Sequence, residues 1–267
     1  MNSESDNPAT NAAGGSQLLL DIGNTRIKWA FDGGDELTDA GELMHRGQPE
    51  ALDEFPAALA RRPDTVTAIN VAGAAIADRV TAALRAHCDV AVQFLQVSER
   101  CGDVTNGYTE WQQLGADRWA AVVGAWHELR SDALVVDAGT AVTIDLLRAD
   151  GRHQGGLILP GLHLAEQVLG VSTADIANFA AEAPGPGKPD WFGCATAEAV
   201  QRGARFSLCA AIDRAVAEFP SGAMPPVLLT GGDAAALQPG LRSRSELRPL
   251  LVLEGVKHLQ AEASAGA

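Results

Sequence analysis

Two short runs share one pattern: Leu18-Leu19-Leu20-Asp21-Ile22-Gly23-Asn24-Thr25 and Leu134-Val135-Val136-Asp137-Ala138-Gly139-Thr140. Each is an apolar triplet followed by Asp-x-Gly and a threonine. The triplet reads as a strand anchored in a core. It delivers the aspartate to the polar end of that strand, where a carboxylate can hold Mg²⁺ or its bound water. The glycine is expected to turn with positive φ and to let backbone N–H groups approach phosphate oxygens, while the threonine adds a hydroxyl donor. Each run continues into an alternating segment that reads as the return strand of a hairpin. These segments are Arg26-Ile27-Lys28-Trp29-Ala30-Phe31 and Ala141-Val142-Thr143-Ile144-Asp145-Leu146-Leu147. One such run is ordinary turn chemistry. Two of them, separated by close to half the chain, predict a duplicated α/β domain with a cleft between the halves, and ATP is the ligand such paired phosphate clamps suit.

The 267 residues leave room for two domains of about 120 residues each, both able to bury a core. Hydrophobic residues make up 46% of the chain and charged residues 20%, so no disulfide or metal staple is needed. The net charge of −14 opposes nucleic-acid binding, which requires a basic footprint to displace counterions. An anionic nucleotide must instead be drawn in by local donors such as Arg26, Lys28 and backbone amides. The four cysteines, Cys88, Cys101, Cys194 and Cys209, show no Cys-x-x-Cys spacing and read as reduced thiols of a cytoplasmic protein. The six histidines show no metal-ligand spacing, and most read as surface or helix residues. Residues 1–17 read as a disordered tail without the basic start or apolar stretch of a signal peptide. No apolar run approaches the length of a membrane span.

Between the two runs the pattern predicts a helix over 49–62, a strand over 65–71, a helix over 74–87 and a strand over 90–97. Ile76, Val80 and Leu84 fall on one face of the second helix. The resulting order, β-β-α-β-α-β, is that of helices laid against a mixed sheet. Asn106-Gly107 marks a turn, and Gly115-Ala116-Asp117-Arg118 precedes an apolar helix over 119–129, which places Asp117 and Arg118 at a helix N-terminus. The second half repeats the theme with strands over 133–137, 141–147 and 155–159, then a helix ending near residue 169. The Pro/Gly stretch over 183–189 reads as a loop, and it is no P-loop because neither Ser nor Thr follows Lys188. A long helix over 195–219 comes next. The segment Val227-Leu228-Leu229-Thr230-Gly231-Gly232-Asp233 reads as a strand that ends in paired glycines, a turn suited to the nucleoside end of ATP.

These features make the chain similar to the actin-like ATPase superfold of sugar kinases, Hsp70 and actin, and more narrowly to the type III pantothenate kinase family. The resemblance runs over nearly all of residues 18–258. Its carriers are Asp21 to Thr25, Gly115-Ala116-Asp117-Arg118, Asp137 to Thr140 with Thr143 and Asp145, Gly155-Gly156 through Pro160-Gly161, and Thr196 ahead of Glu198-Ala199-Val200. It implies duplicated actin-like, ribonuclease H-like domains over 18–130 and 131–260, with mixed five-stranded sheets, an interdomain ATP cleft and tails at 1–17 and 261–267. It implies transfer of the ATP γ-phosphoryl group to pantothenate, the first step of coenzyme A synthesis, with Mg²⁺ and a monovalent cation, K⁺ or NH₄⁺. Asp117 would be the catalytic base. The phosphate loop would be Asp21, Ile22, Gly23, Asn24, Thr25, Arg26, Ile27 and Lys28, joined by Thr140, and Asp137 would seat the cation. Tyr108, Gly115, Ala116, Asp117, Arg118 and Thr196 would bind pantothenate, with Thr196 supplied by the partner subunit of a homodimer. Arg118 could pair with the substrate carboxylate through its planar fork, and Thr196 could also cap the helix it precedes. Rival readings are a sugar kinase of the same superfold, a polyphosphate phosphatase, and a non-catalytic accessory member of the family. The first commonly carries a zinc-binding cysteine cluster, which this chain lacks.

Overall fold

The structure, a computed structural model, describes residues 15–172, 191–220, 222 and 224–265. The loop expected over 183–189 and most of the expected N-terminal tail lie outside these residues. The chain opens with β1 (Gln17–Ile22), β2 (Arg26–Asp32) and β3 (Leu37–Met44), followed by the single-turn helix α1 (Ala51–Glu54). Next come β4 (Thr65–Asn70), α2 (Ala74–Cys88) and β5 (Val92–Phe94). These strands form one sheet in the order β3-β2-β1-β4-β5, antiparallel on one side of β1 and parallel on the other. A small hairpin, β6 (Arg100–Cys101) and β7 (Val104–Thr105), leads to α3 (Ala116–Leu129). The order then repeats with β8 (Ala133–Ala138), β9 (Ala141–Leu147) and β10 (His153–Pro160), then α4 (Leu162–Ser172) and α5 (Thr196–Ala217). It closes with β11 (Val227–Thr230), the short α6 (Ala234–Leu237), β12 (Ser245–Leu247) and α7 (Leu251–Ala265). The second sheet, β10-β9-β8-β11-β12, has the same order and the same strand senses as the first.

The apolar triplets make the central strands. Leu18, Leu19 and Leu20 are fully buried, as are their counterparts in β8, because both faces of each central strand are covered by helices. The first polar residue after each triplet is therefore the aspartate, carried at the C-terminal end of the strand.

Several expected elements differ. Strand β3 is an additional strand that the expected order lacked. It lies at the sheet edge and is mostly exposed, so its sequence carries no apolar alternation. Backbone pairing to β2 holds it there, and Gly41 lets it close on the ring of Trp29, which a side chain at that position would strike. The helix expected over 49–62 breaks into α1 and a 3-10 turn, Phe55–Ala58, because Pro56 offers no N–H to continue an α-helix. The strand expected over 90–97 pairs only over Val92–Phe94. Thr196 is the first helical residue of α5 rather than its cap; Ala195 holds the cap position and makes no side-chain bond.

Helices α3 and α7 lie between the two sheets, and each packs against the sheet of the other half. Helix α3 contacts β8 and β9 as well as β4 of its own half, while α7 contacts β1, β2 and β4. Glycines allow the pair to approach closely: a side chain on Gly255 would run into the carbonyl of Ala120, and one on Gly124 into that of Leu251. The shared core joins Leu19, Ala30 and Ile69 of the first sheet to Val135, Leu147 and Leu228 of the second through Trp119, Val122, Val123 and Val256. The outer faces are covered separately, by α1 and α2 on the first sheet and by α5 on the second.

Candidate active site

The two hairpin tips meet. The first is a three-residue loop, Gly23-Asn24-Thr25, and the second a two-residue loop, Gly139-Thr140. The Thr25 and Thr140 hydroxyls lie 2.7 Å apart across the gap between the halves. Beneath them is a cavity of about 370 Å³ lined by Asp21, Gly23, Asn24, Thr25, Arg26, Lys28, Asp117, Asp137 and Thr140. Thr143, Arg46, His163 and the Gly231-Gly232-Asp233 turn complete much of the wall. The cavity opens at the C-terminal ends of β1, β8 and β11, the usual place for a ligand in sheets of this kind.

Neither Gly23 nor Gly139 has the positive φ expected of it. At Gly23 the glycine serves closeness, since a side chain there would sit 3.2 Å from the Arg26 carbonyl oxygen, whereas one on Gly139 would meet only ordinary contacts. The glycine whose conformation is demanding is Gly231, with φ of +93°, where a side chain would strike the Asp137 carboxylate and the Ala138 carbonyl. The paired-glycine turn thus packs directly against the second clamp.

The longer first loop is braced from β3. The backbone N–H groups of His45 and Arg46 donate to the Thr25 carbonyl, and His45 Nε2 lies 2.9 Å from the Gly23 carbonyl oxygen. His45 and His153 are buried, exceptions to the surface or helix placement expected for most of the histidines. No local signal marks them, because β3 and the β9–β10 register bring them in.

Asp21 and Lys28 face one another across the β1–β2 pair. Burial pushes the Asp21 carboxyl up to about 7, helped by Asp137 and Asp117 and opposed by Lys28. Asp137 is pushed up to about 6, again chiefly by burial, with Lys28 opposing and Asp117 and Asp145 assisting. Asp117, in the first turn of α3, is also raised by burial, against the pull of the Arg118 N–H that donates to its Oδ1 at 2.8 Å. Three carboxylates with one lysine make a floor that favours added positive charge.

The remaining expected residues lie elsewhere. Ile22 and Ile27 are fully buried in the core, so only their backbone can serve a phosphate. Tyr108, Gly115, Ala116 and Arg118 do not line the cavity; they lie beyond Asp117. The fork of Arg118 is already taken: Nε and Nη2 donate to Asp145 at 2.9 and 2.6 Å, and Nη1 donates to the Tyr108 hydroxyl at 2.7 Å. Three of the five N–H groups of Arg118 are thus engaged within the protein. Thr196 is exposed and outside the cavity of its own chain.

A family model described as Type III pantothenate kinase matches residues 17–218. The chain belongs to the type III pantothenate kinase family. The type III pantothenate kinase of Halorhodospira halophila is 38% identical over 249 residues, 91% of this chain and 96% of that protein. That of Aromatoleum aromaticum is 40% identical over 251 residues, covering 93% and 99%. Among solved structures, the ethanolamine utilization protein EutJ from Carboxydothermus hydrogenoformans aligns with a TM-score of 0.54 at 14% identity, over 95% of this chain and 91% of that one. This last likeness concerns the fold alone, and the kinase shares the duplicated actin-like architecture. Among the described residues of this family member, no three His, Cys, Asp or Glu side chains gather as a metal cage. A Mg²⁺ ion bound largely through nucleotide phosphates and one or two carboxylates fits such a donor set.

Proposed function

We propose that this chain transfers the γ-phosphoryl group of ATP to the primary hydroxyl of pantothenate, with Asp117 as the base. The observation that carries this reading is the position of Asp117, which lines the phosphate cavity and is followed in the chain by the Arg118 that holds Tyr108. ATP phosphates in the cleft would meet Lys28, the Thr25 and Thr140 hydroxyls and the loop N–H groups. Phosphoryl transfer passes through a loose transition state, so these groups chiefly align the phosphates and balance their charge. A carboxylate with a raised pKa suits Asp117 to accept the proton of the attacking hydroxyl late in the reaction. Asp21 would hold Mg²⁺, and Asp137 the monovalent cation. The Thr230 hydroxyl fits the latter role, being fully buried without a hydrogen-bond partner and in register with Asp137 on the next strand. Bound cations would supply charge neutralisation of the phosphate oxygens.

The division into domains over 18–130 and 131–260 and the cytoplasmic location belong to the same reading, the latter supported by the free cysteines. So does a homodimer in which Thr196 reaches the acceptor site of its neighbour. ADP release with pantothenate, glucose or no acceptor, measured in K⁺ and in Na⁺, tests the activity, and turnover stimulated only by the sugar would overturn it. Asp117→Asn is expected to lower kcat by at least about 100-fold while ATP still binds. Full activity of that variant would remove Asp117 from the mechanism.

A further inference from the structure

Asp145 is almost completely buried, and both oxygens of its carboxylate accept hydrogen bonds from its neighbours. It accepts Nε and Nη2 of Arg118 and, on Oδ1 at 2.9 Å, Nε2 of the fully buried His153. At 1% exposure it is closed to a ligand. A buried ion pair of this kind adds little stability over well-packed apolar residues, because removing both charges from water offsets their attraction. Its placement next to Asp117 therefore calls for a reason other than stability.

The cluster reaches outward through Arg118 Nη1, which donates to the Tyr108 hydroxyl. Tyr108 is held at two further points. Its N–H donates to Asn106 Oδ1 at 3.0 Å, and its ring stacks on His153 with centroids 5.9 Å apart and planes 17° from parallel. His153 is itself oriented, since the Gly107 N–H donates to Nδ1 at 3.4 Å and leaves the ring proton on Nε2 for Asp145. Two glycines make room. A side chain on Gly156 would sit 2.5 Å from Asp145 Oδ1 and 2.7 Å from Arg118 Nη2, and one on Gly107 would run into the His153 carbonyl.

A phenol that accepts a hydrogen bond from a guanidinium has its own O–H proton free to donate. We propose that Asp145 and His153 are positioning residues of the acceptor site, which act through Arg118 to present the Tyr108 hydroxyl as a donor to a carbonyl or carboxylate oxygen of the acceptor substrate. The charge of Arg118 thus reaches the substrate through Tyr108. This rests on the reading of Tyr108 as an acceptor-side residue.

The test uses the full chain and measures KM for pantothenate and for ATP separately in Tyr108→Phe, His153→Phe and the double variant. Phenylalanine at 153 keeps the stack and removes both ring hydrogen bonds. Each single variant is expected to raise KM for pantothenate about tenfold with KM for ATP within about twofold, and the double variant to resemble Tyr108→Phe alone. His153→Gln, which keeps an N–H donor for Asp145, should recover most of the loss. Effects that multiply in full in the double variant, or that fall equally on both substrates, would overturn the relay. If Tyr108→Phe raises KM for pantothenate and neither variant at 153 does, the relay fails while the acceptor-site reading stands. If Tyr108→Phe is silent, that reading fails and the relay with it. Should His153→Phe not fold, His153→Gln carries the test: a rise beyond about threefold in KM for pantothenate, or an equal rise for ATP, counts against the proposal.

Discussion

Asp21 and Asp137 owe their raised pKa values to burial beside one another at the floor of a cleft, with a single nearby lysine. The consequence for stability has a definite sign. From the ordinary 3.8 upward an unfolded chain releases these protons, whereas the folded protein keeps them until about 6 and about 7. Their contribution is therefore full at low pH and is lost as pH rises through the folded values. Bound positive charge reverses the effect by favouring the ionised carboxylates. The melting temperature of the nucleotide-free protein should fall between about pH 4 and about pH 7, and Asp21→Asn should flatten that decline, the variant serving as its own control for all other groups. Mg²⁺ with ATP should raise the melting temperature more at the upper pH. A steeper decline in Asp21→Asn would contradict the assignment. The same residues show how far single positions are legible in sequence. Asp21, Asp117 and Asp137 stand out because each follows or opens a strongly patterned segment. His45, His153 and the partner of Arg118 do not, because they are defined by which strands become neighbours.

Among elements, the central strands were readable from their apolar triplets, and α2 and α3 from their apolar faces. The edge strand β3 has no such face, and α7 carries Gly255 in its second turn, which reads locally as a helix breaker. That glycine is explained by tertiary contact, since α7 crosses α3 where the backbone of Ala120 leaves no space for a side chain. Gly255→Ala gains helix propensity and loses the close crossing, and the second effect should dominate because the obstacle is backbone rather than a flexible side chain. The variant is expected to be destabilised by about 1–3 kcal/mol in chemical denaturation. Because α3 carries Asp117 at one end and packs on the second sheet while α7 packs on the first, a shift at this crossing would also alter the spacing of the two clamps. A loss of ATP affinity in Gly255→Ala beyond what unfolding explains is the corresponding functional readout. A variant as stable as the parent would show that the crossing can relax.

At the scale of the whole molecule, one half of the chain presents an apolar surface that its own core does not use. Leu157 and Ile158 on the edge strand β10 are 52% and 66% exposed. An edge strand with exposed apolar side chains invites pairing, and a second copy of the same chain is the simplest cover. The proposed homodimer also accounts for Thr196, which starts α5 on this half, is exposed and does not line the cavity that holds Asp117. Complementation decides whether it acts in the neighbouring subunit. Asp117→Asn and Thr196→Ala chains should each be poorly active alone. If Thr196 serves the other subunit, a mixed dimer contains one site with both an intact Asp117 and an intact Thr196. Co-refolding equal amounts should then restore about a quarter of the parent activity, since half the dimers are mixed and each has one working site of two. If Thr196 serves its own subunit, every site in the mixture carries a defect and activity stays at the level of the separate variants. Ile158→Glu supplies the physical control: it should shift the protein toward monomer in light scattering and abolish the restoration, and a dimer that survives it would locate the interface elsewhere.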